Sequence, residues 1–235
     1  MSKSKVALIT GANRGIGFEI AKQLGRLGIT VLVGARDQER GKTAADQLIK
    51  EGIEASAVIL DVTDEKSVKL AAETIARDYG HLDILVNNAG ISHDNGRKPS
   101  EMPLQATRET YETNVFGVVN VTNAMLPLLR KSEMGRIVNI SSSMASLTSA
   151  ADPTSPSAML NLLAYDSSKA ALNSITLEYA KELRQTPIKI NAADPGYVFG
   201  DRTAADGAKA AVRLATLPND GSSGTFQNEN GIIAW

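Results

Sequence analysis

Tyr165 and Lys169 stand four residues apart in YDSSK, within a helix-like stretch, so the phenol and the ammonium share one helical face. A phenol titrating near 10 is a poor acid–base catalyst at neutral pH; a nearby cation favours the phenolate and lowers that value. The pair could therefore pass a proton to or from a reacting oxygen. Upstream, the serines at 141–143 close a strand-like run, RIVNI. Each feature has a plainer reading. Tyr and Lys at this spacing occur on many surface helices, where the lysine is merely solvated. The serines could form only a strand-end loop, and Asn114, in ETNVFGVVNVT, reads alone as a polar residue on a mixed helix. The Ser/Ala/Thr/Pro-rich residues 143–164, which separate the serines from Tyr165, have the composition of a linker.

A second constellation lies near the N-terminus. TGANRGIG places glycines at 11, 15 and 17 between an apolar run and an amphipathic segment. Gly11 permits a tight turn, Gly15 lets backbone approach a pyrophosphate, and Gly17 allows the helix to pack closely on a sheet. The helix start then offers free N–H groups and a positive dipole end. The spacing is G-x-x-x-G-x-G, and alone it could be only a tight loop. An acid closing the second strand would bind a ribose 2′-OH and repel a 2′-phosphate. Here Ala35 occupies that place and Arg36 follows, with Arg14 in the glycine loop and Arg40 one turn on. Three guanidiniums suit a 2′-phosphate, which favours NADP(H) over NAD. The alternative pairs Arg36 with Asp37 or Glu39 at a solvated helix start and leaves Arg40 as a surface residue.

These residues need a scaffold, and the chain alternates strand and helix patterns. Strand-like runs fall at 6–10, 29–35, 55–62, 82–90, 136–141 and 188–194, with GIIAW at the end. Helical spacing covers 15–28, 38–50, 64–79, a long stretch over 106–131, then 162–185 and 203–216. Apolar strands separated by helices predict a parallel sheet covered on both faces. The expected architecture is one Rossmann-type doubly wound α/β domain over residues 1–235, with a seven-stranded parallel sheet. Hydrophobic residues make up 43% and the formal net charge is −1, so nothing points to nucleic acid or an acidic membrane surface. No run approaches the roughly 20 apolar residues of a membrane span. Cysteine is absent, which excludes disulfides and thiol chemistry and fits a cytoplasmic setting. His81 and His93 read as surface residues without metal-ligand spacing.

TGANRGIG, DV at 61–62, NNAG at 87–90, Asn114, ISS at 140–142, YDSSK at 165–169 and PG at 195–196 occur in one order. In that order they resemble the short-chain dehydrogenase/reductase family over nearly the whole chain. TGANRGIGFE, GARD and the closing GIIAW resemble its NADPH-dependent carbonyl reductase branch. The resemblance implies a catalytic set of Asn114, Ser142, Tyr165 and Lys169. Tyr165 would protonate a carbonyl oxygen while hydride arrives from nicotinamide, and Ser142 would hydrogen-bond that oxygen. Lys169 would also bind the nicotinamide ribose, and Asn114 would hold a water leading to solvent. Cofactor contacts implied in the same way are Gly11, Asn13, Arg14, Gly15, Ile16, Gly17, Arg36, Arg40, Asp61, Val62, Asn88, Ala89, Gly90, Pro195, Gly196 and Val198. Asp61 could instead only cap a turn, and NNAG could be a ligand-free turn.

The sequence departs from the family's pattern in three places. Gly200 stands where a Thr is usual after PG, with Thr203 as the nearest substitute. The segment from Tyr197 to the next helix is short, so any substrate lid should be small. Ser142 and Tyr165 are 23 residues apart, a longer interval than in most of the family. It is nonetheless shorter than in the carbonyl reductases, whose insertion here covers a helical face used for assembly, so a homodimer or homotetramer stays open. The substrate pocket is expected to draw on Ser142, Ser143, Met144, Ala145, Leu160, Tyr165, Tyr197 and Phe199, with the 91–102 loop. This mainly apolar lining favours neutral hydrophobic ketones or aldehydes, as small-molecule partners, over sugars or keto acids. The competing readings are a 3-oxoacyl-thioester reductase, a secondary-alcohol or steroid dehydrogenase, and a dinucleotide sensor without chemistry.

Overall fold

The structure is a computed structural model, and it describes residues 4–196 and 202–235. Short apolar runs become buried strands: β1 (Val6–Thr10), β2 (Thr30–Ala35), β4 (Ile84–Asn87) and β5 (Arg136–Ile140) are buried at every position. With β3 (Ala55–Ile59), β6 (Lys189–Ala193), β7 (Phe226–Asn228) and β8 (Gly231–Ile232), they form one sheet. Its order is β3-β2-β1-β4-β5-β6-β7-β8. All pairings are parallel except β7 with β8. Among the described residues the sheet thus has eight strands where seven were expected. The closing GIIAW run supplies a two-residue return strand, and Gly231, at φ +131°, takes a backbone conformation open to glycine.

Helices cover both faces because alternate strand residues point to opposite sides. On one face Ala7 and Ile9 pack with Ile20 and Leu24 of α1 (Gly15–Arg26), Ala44 and Leu48 of α2 (Gln38–Lys50), and Ala211 and Leu214 of α8 (Ala204–Ala215). On the other, Leu8 and Leu85 pack with Val68 and Ile75 of α3 (Glu65–Asp78). The predicted helix over 106–131 is three pieces. α4 (Leu104–Tyr111) runs into a π-helical turn (Glu112–Phe116), and α5 (Gly117–Leu129) continues from there. Gly117 shows why only glycine fits that junction: a Cβ there would lie 2.8 Å from a Val62 methyl. Among the described residues no helix is long and apolar enough to cross a membrane.

Strand order reverses at β1 and β4, so the loops leaving their C-terminal ends diverge and open a crevice. The glycine loop leaves β1 and NNAG leaves β4. The next C-terminal end along the sheet is that of β5, which carries Ser141 and Ser142. The 143–164 stretch is not a plain linker. It holds a 3₁₀ turn (Ser143–Ala145), α6 (Leu147–Ala150) and a second 3₁₀ turn (Pro156–Met159) before α7 (Leu163–Glu182).

Candidate active site

The glycine loop is fastened to the NNAG loop. Asn88 Nδ2 donates to the Thr10 and Gly11 carbonyls at 2.8 and 3.2 Å, and the Thr10 hydroxyl accepts from Asn88 N and Ala89 N, both at 2.9 Å. A Cβ on Gly17 would fall 2.4 Å from Asn88 Nδ2 and 2.8 Å from the Gly11 carbonyl. Gly17 is therefore required for the loop to close on Asn88, and the Asn88 side chain serves the scaffold. Gly15, at φ +59°, has nothing within 4 Å of where its Cβ would stand. Its backbone faces open space, where a pyrophosphate could come close. Arg14 precedes α1 without a side-chain cap, and the first turn carries no acid. Free N–H groups, the dipole and this open backbone fit a dinucleotide phosphate.

Ala35, buried at the end of β2, leaves no carboxylate at the position that reads the ribose. Asp37 is turned to its own helix: its Oδ1 accepts from Arg40 N at 2.9 Å, and Arg40 Nε lies 3.9 Å from Oδ2. Arg14 and Arg36 are exposed and make no ion pair among the described residues. Asp61 caps its turn, with Oδ1 accepting from Thr63 N and Oγ1 at 3.0 and 2.7 Å. Asn13 and Ile16 lie in the glycine loop and the first turn of α1, both half-buried, and Val62 is buried.

The Tyr–Lys pair is on α7 as its spacing requires. Lys169 is buried, with Nζ donating to the Ile140 carbonyl at 2.6 Å and lying 5.7 Å from the Tyr165 ring centroid. Burial pulls the Lys169 ammonium down to about 8. Ile140 is two residues before Ser142, so this bond ties the Tyr165–Lys169 face of α7 to the end of β5. The neighbouring serines differ. Ser141 is fully buried and donates to Asn173 Oδ1 at 2.6 Å, whereas the half-buried Ser142 accepts from Met144 N at 3.2 Å and donates to no acceptor among the described residues. Met144 and Ala145 are buried beside it, Ser143 is exposed and Leu160 is largely exposed.

Asn114 lies in the π-helical turn, fully buried. Its Nδ2 donates to the Ile91 carbonyl and Ser168 Oγ at 2.9 and 3.0 Å, and its Oδ1 accepts from Ile91 N at 2.9 Å. A Cβ on Gly90 would stand 3.3 Å from Asn114 Oδ1 and 3.4 Å from Lys169 Nζ, so the glycine gives both groups room. Beneath them runs a buried polar chain that sequence reasoning missed: Asn87 Nδ2 donates to Asn139 Oδ1 at 2.9 Å, and Asn139 Nδ2 to Thr176 Oγ1 at 2.8 Å. Its signal was available, since ILVN and RIVNI each break an apolar run with one Asn, and the two are paired in register.

Past β6 the glycine of PG takes φ +70°, and Gly196 N donates to Asp194 Oδ1 at 3.0 Å. Arg202 Nη2 donates to the Pro195 carbonyl at 3.1 Å. Tyr197, Val198, Phe199 and Gly200 lie outside the described residues. Thr203 is the N-cap of α8 in a reciprocal capping box with Asp206, so its hydroxyl serves that helix. His81 departs from its surface reading: Nε2 lies 3.1 Å from Asp83 Oδ2 and the side chain is only 16% exposed. His93 sits 3.6 Å from Glu109 on a more open site. The insertion is also tied down, because the Trp235 main-chain oxygen accepts from Ser146 Oγ and Thr148 Oγ1, both at 3.2 Å.

Asp166, next to Tyr165, has a buried Oδ1 with no hydrogen-bond partner. Burial and the negative charge of Asp94 push its carboxyl up to about 7 from 3.8. The folded chain then holds a proton that the unfolded chain has released, so stability falls as pH rises from about 4 to 7. D166N removes this penalty. Its melting temperature should exceed the parent's by about 2 °C at pH 8, a figure discounted for half-burial, and should match it near pH 4. Melts across that pH range check this; a gain that does not change with pH would refute it.

Comparisons with known proteins agree with this geometry. The family described as short chain dehydrogenase matches residues 5–211. A short-chain dehydrogenase of Penicillium roqueforti is 38% identical, covering 97% of this chain and 96% of its own. Carbonyl reductase (NADPH) 1 of Bos taurus is 31% identical, covering 100% of this chain and 99% of its own. Among solved structures, the NADPH-bound carbonyl reductase from chicken fatty liver superposes with a TM-score of 0.86 at 28% identity, covering 99% of this chain and all of that one. With a matching fold, a glycine loop at the switch point and a Tyr–Lys helix against β5, the chain belongs to the short chain dehydrogenase family of oxidoreductases.

Proposed function

We propose that the protein is an NADPH-dependent carbonyl reductase that converts small, neutral, mainly apolar ketones and aldehydes to alcohols. The observation that carries this reading is the buried Lys169 ammonium, held on the Ile140 carbonyl beside the Tyr165 ring. When bound, NADPH supplies a hydride to the carbonyl carbon. The hydride's electron pair forms the new C–H bond, the C=O π pair moves onto oxygen, and that pair takes the phenolic proton of Tyr165 to form the O–H bond, leaving a phenolate. Lys169 stabilises the phenolate left behind, because a cation close by lowers the phenol's pKa. Ser142, with its proton uncommitted, orients the substrate oxygen. Asn114 spends both amide hydrogens within the protein and keeps one Oδ1 lone pair on the Gly90 side, where Lys169 also lies, for a proton-relaying water.

Arg14 and Arg36 are suited to the 2′-phosphate and the open Gly15 backbone to the pyrophosphate. Both functions fall within one unit over residues 1–235. A chain without cysteine loses nothing in the reducing cytoplasm, where this reading places it. The test is NADPH consumption, followed by absorbance, with aryl ketones, aldehydes and acetoacetyl thioesters. Turnover of simple ketones and aldehydes is expected. A thioester preference of several orders of magnitude would overturn the substrate class, and no turnover of any carbonyl would overturn the activity.

A further inference from the structure

We propose that Asp94 is a positioning residue for Tyr165, acting as a two-pronged clamp on the first turn of α7; the inference rests on the reductase reading above. A helix starts with N–H groups that have no partner inside it. α7 begins at Leu163 after Leu162, and neither residue can cap it. The acceptor comes instead from 70 residues upstream. Asp94 Oδ1 accepts from Ala164 N at 2.8 Å and Oδ2 from Tyr165 N at 3.1 Å. Only 1% of Asp94 is exposed, and Ser92 Oγ donates to its Oδ2 at 3.1 Å.

The two prongs do more than one could. A single acceptor leaves the turn free to swing about the bond, whereas two oxygens of one planar carboxylate fix its rotation as well. The clamp has its own anchor. Asp94 is three residues beyond Ile91, whose N–H and carbonyl are both bonded to Asn114. Between Asp94 and Arg97 the chain turns sharply through Asn95 and Gly96, at φ +50° and +69°, and Arg97 N closes that turn on the Asp94 carbonyl at 3.0 Å. The loop that leaves NNAG therefore holds the backbone of the residue bearing the proton donor. Misplacing a reacting group by about 1 Å can cost about 100-fold in rate, so such a clamp can act on kcat without touching substrate.

A carboxylate here has two other possible roles. As an ordinary cap it would contribute stability alone. As a fixed charge it would bias Tyr165 and Asp166 electrostatically, and removing the charge would matter whatever replaced it. D94N and D94A separate these roles, because both lose the charge but only D94N keeps an accepting oxygen. In D94A, kcat for a ketone should fall about 10- to 100-fold, with KM and the NADPH dissociation constant within about threefold. D94N, which keeps one of the two acceptors, should recover part of that loss. Hydrogen exchange over residues 162–168 reads the clamp independently of turnover, and protection there should be lost in D94A and partly kept in D94N. Unchanged kcat in D94A overturns the proposal, and so does equal loss in both variants, which would assign the effect to charge. If D94A does not fold, D94S, with one acceptor atom, takes its place and should fall between parent and the full loss. A parent enzyme that turns over no carbonyl refutes the reductase reading instead, and unchanged exchange in D94A then overturns the clamp itself.

Discussion

Tyr165→Phe should bind NADPH within about twofold of the parent and lose about three orders of magnitude in kcat, within the range contributed by a positioned acid. The substitution removes one hydroxyl. The Tyr165 main chain keeps its bond to Asp94, the ring keeps its place 5.7 Å from Lys169, and Lys169 keeps the Ile140 carbonyl. The glycine loop is held by Asn88 Nδ2 on the Thr10 and Gly11 carbonyls. Proton supply to the carbonyl oxygen would then fall to water, which the side chain had replaced with a donor already in place. Steady-state turnover with an aryl ketone, beside a fluorescence titration of NADPH, separates loss of chemistry from loss of binding. An active Y165F would assign proton transfer elsewhere, and a Y165F that no longer binds NADPH would make the phenol a cofactor contact first.

The parts of this site that could be read from the sequence are those whose geometry is local. Gly11, Gly15 and Gly17 lie within one loop, and Tyr165 with Lys169 within one helical turn, so spacing alone places each set. The strands were legible because buried parallel strands are apolar throughout, as VALIT and TVLVGA are. What escaped depends on contacts between distant segments. The pairing of Asp94 with the start of α7 joins residues 70 apart, and nothing near Leu163 announces that its cap is missing by design of the tertiary fold. The resemblance names Ser142, but residue spacing alone does not separate it from Ser141, whose hydroxyl Asn173 takes into the core. The π-helical turn at Asn114 is invisible to a period-3.6 reading, since one extra residue in a long apolar helix scarcely disturbs the pattern. The eighth strand is two residues long, too short to show alternation.

The same distinction bears on the three arginines proposed for the 2′-phosphate, which differ in their ion pairing. Arg40 sits 3.9 Å from Asp37 at a helix start, so part of its charge is already answered. Arg36 follows the buried Ala35 directly and is exposed without an ion pair among the described residues, as is Arg14. A 2′-phosphate beside Ala35 meets no carboxylate at the strand end, and its charge would be answered mainly by Arg36 and Arg14. A hydrogen bond to a charged group contributes about 1.5–3 kcal/mol, so Arg36→Ala should weaken NADPH binding roughly 10- to 100-fold. NADH lacks the phosphate and should bind within about threefold of its parent value. Arg40→Ala should cost NADPH less than Arg36→Ala, because part of the Arg40 charge is already answered by Asp37. Fluorescence titration of both cofactors against the parent and both variants measures this. Equal weakening of NADPH and NADH in Arg36→Ala would place the guanidinium on a part that the two cofactors share, and would leave the 2′-phosphate to Arg14.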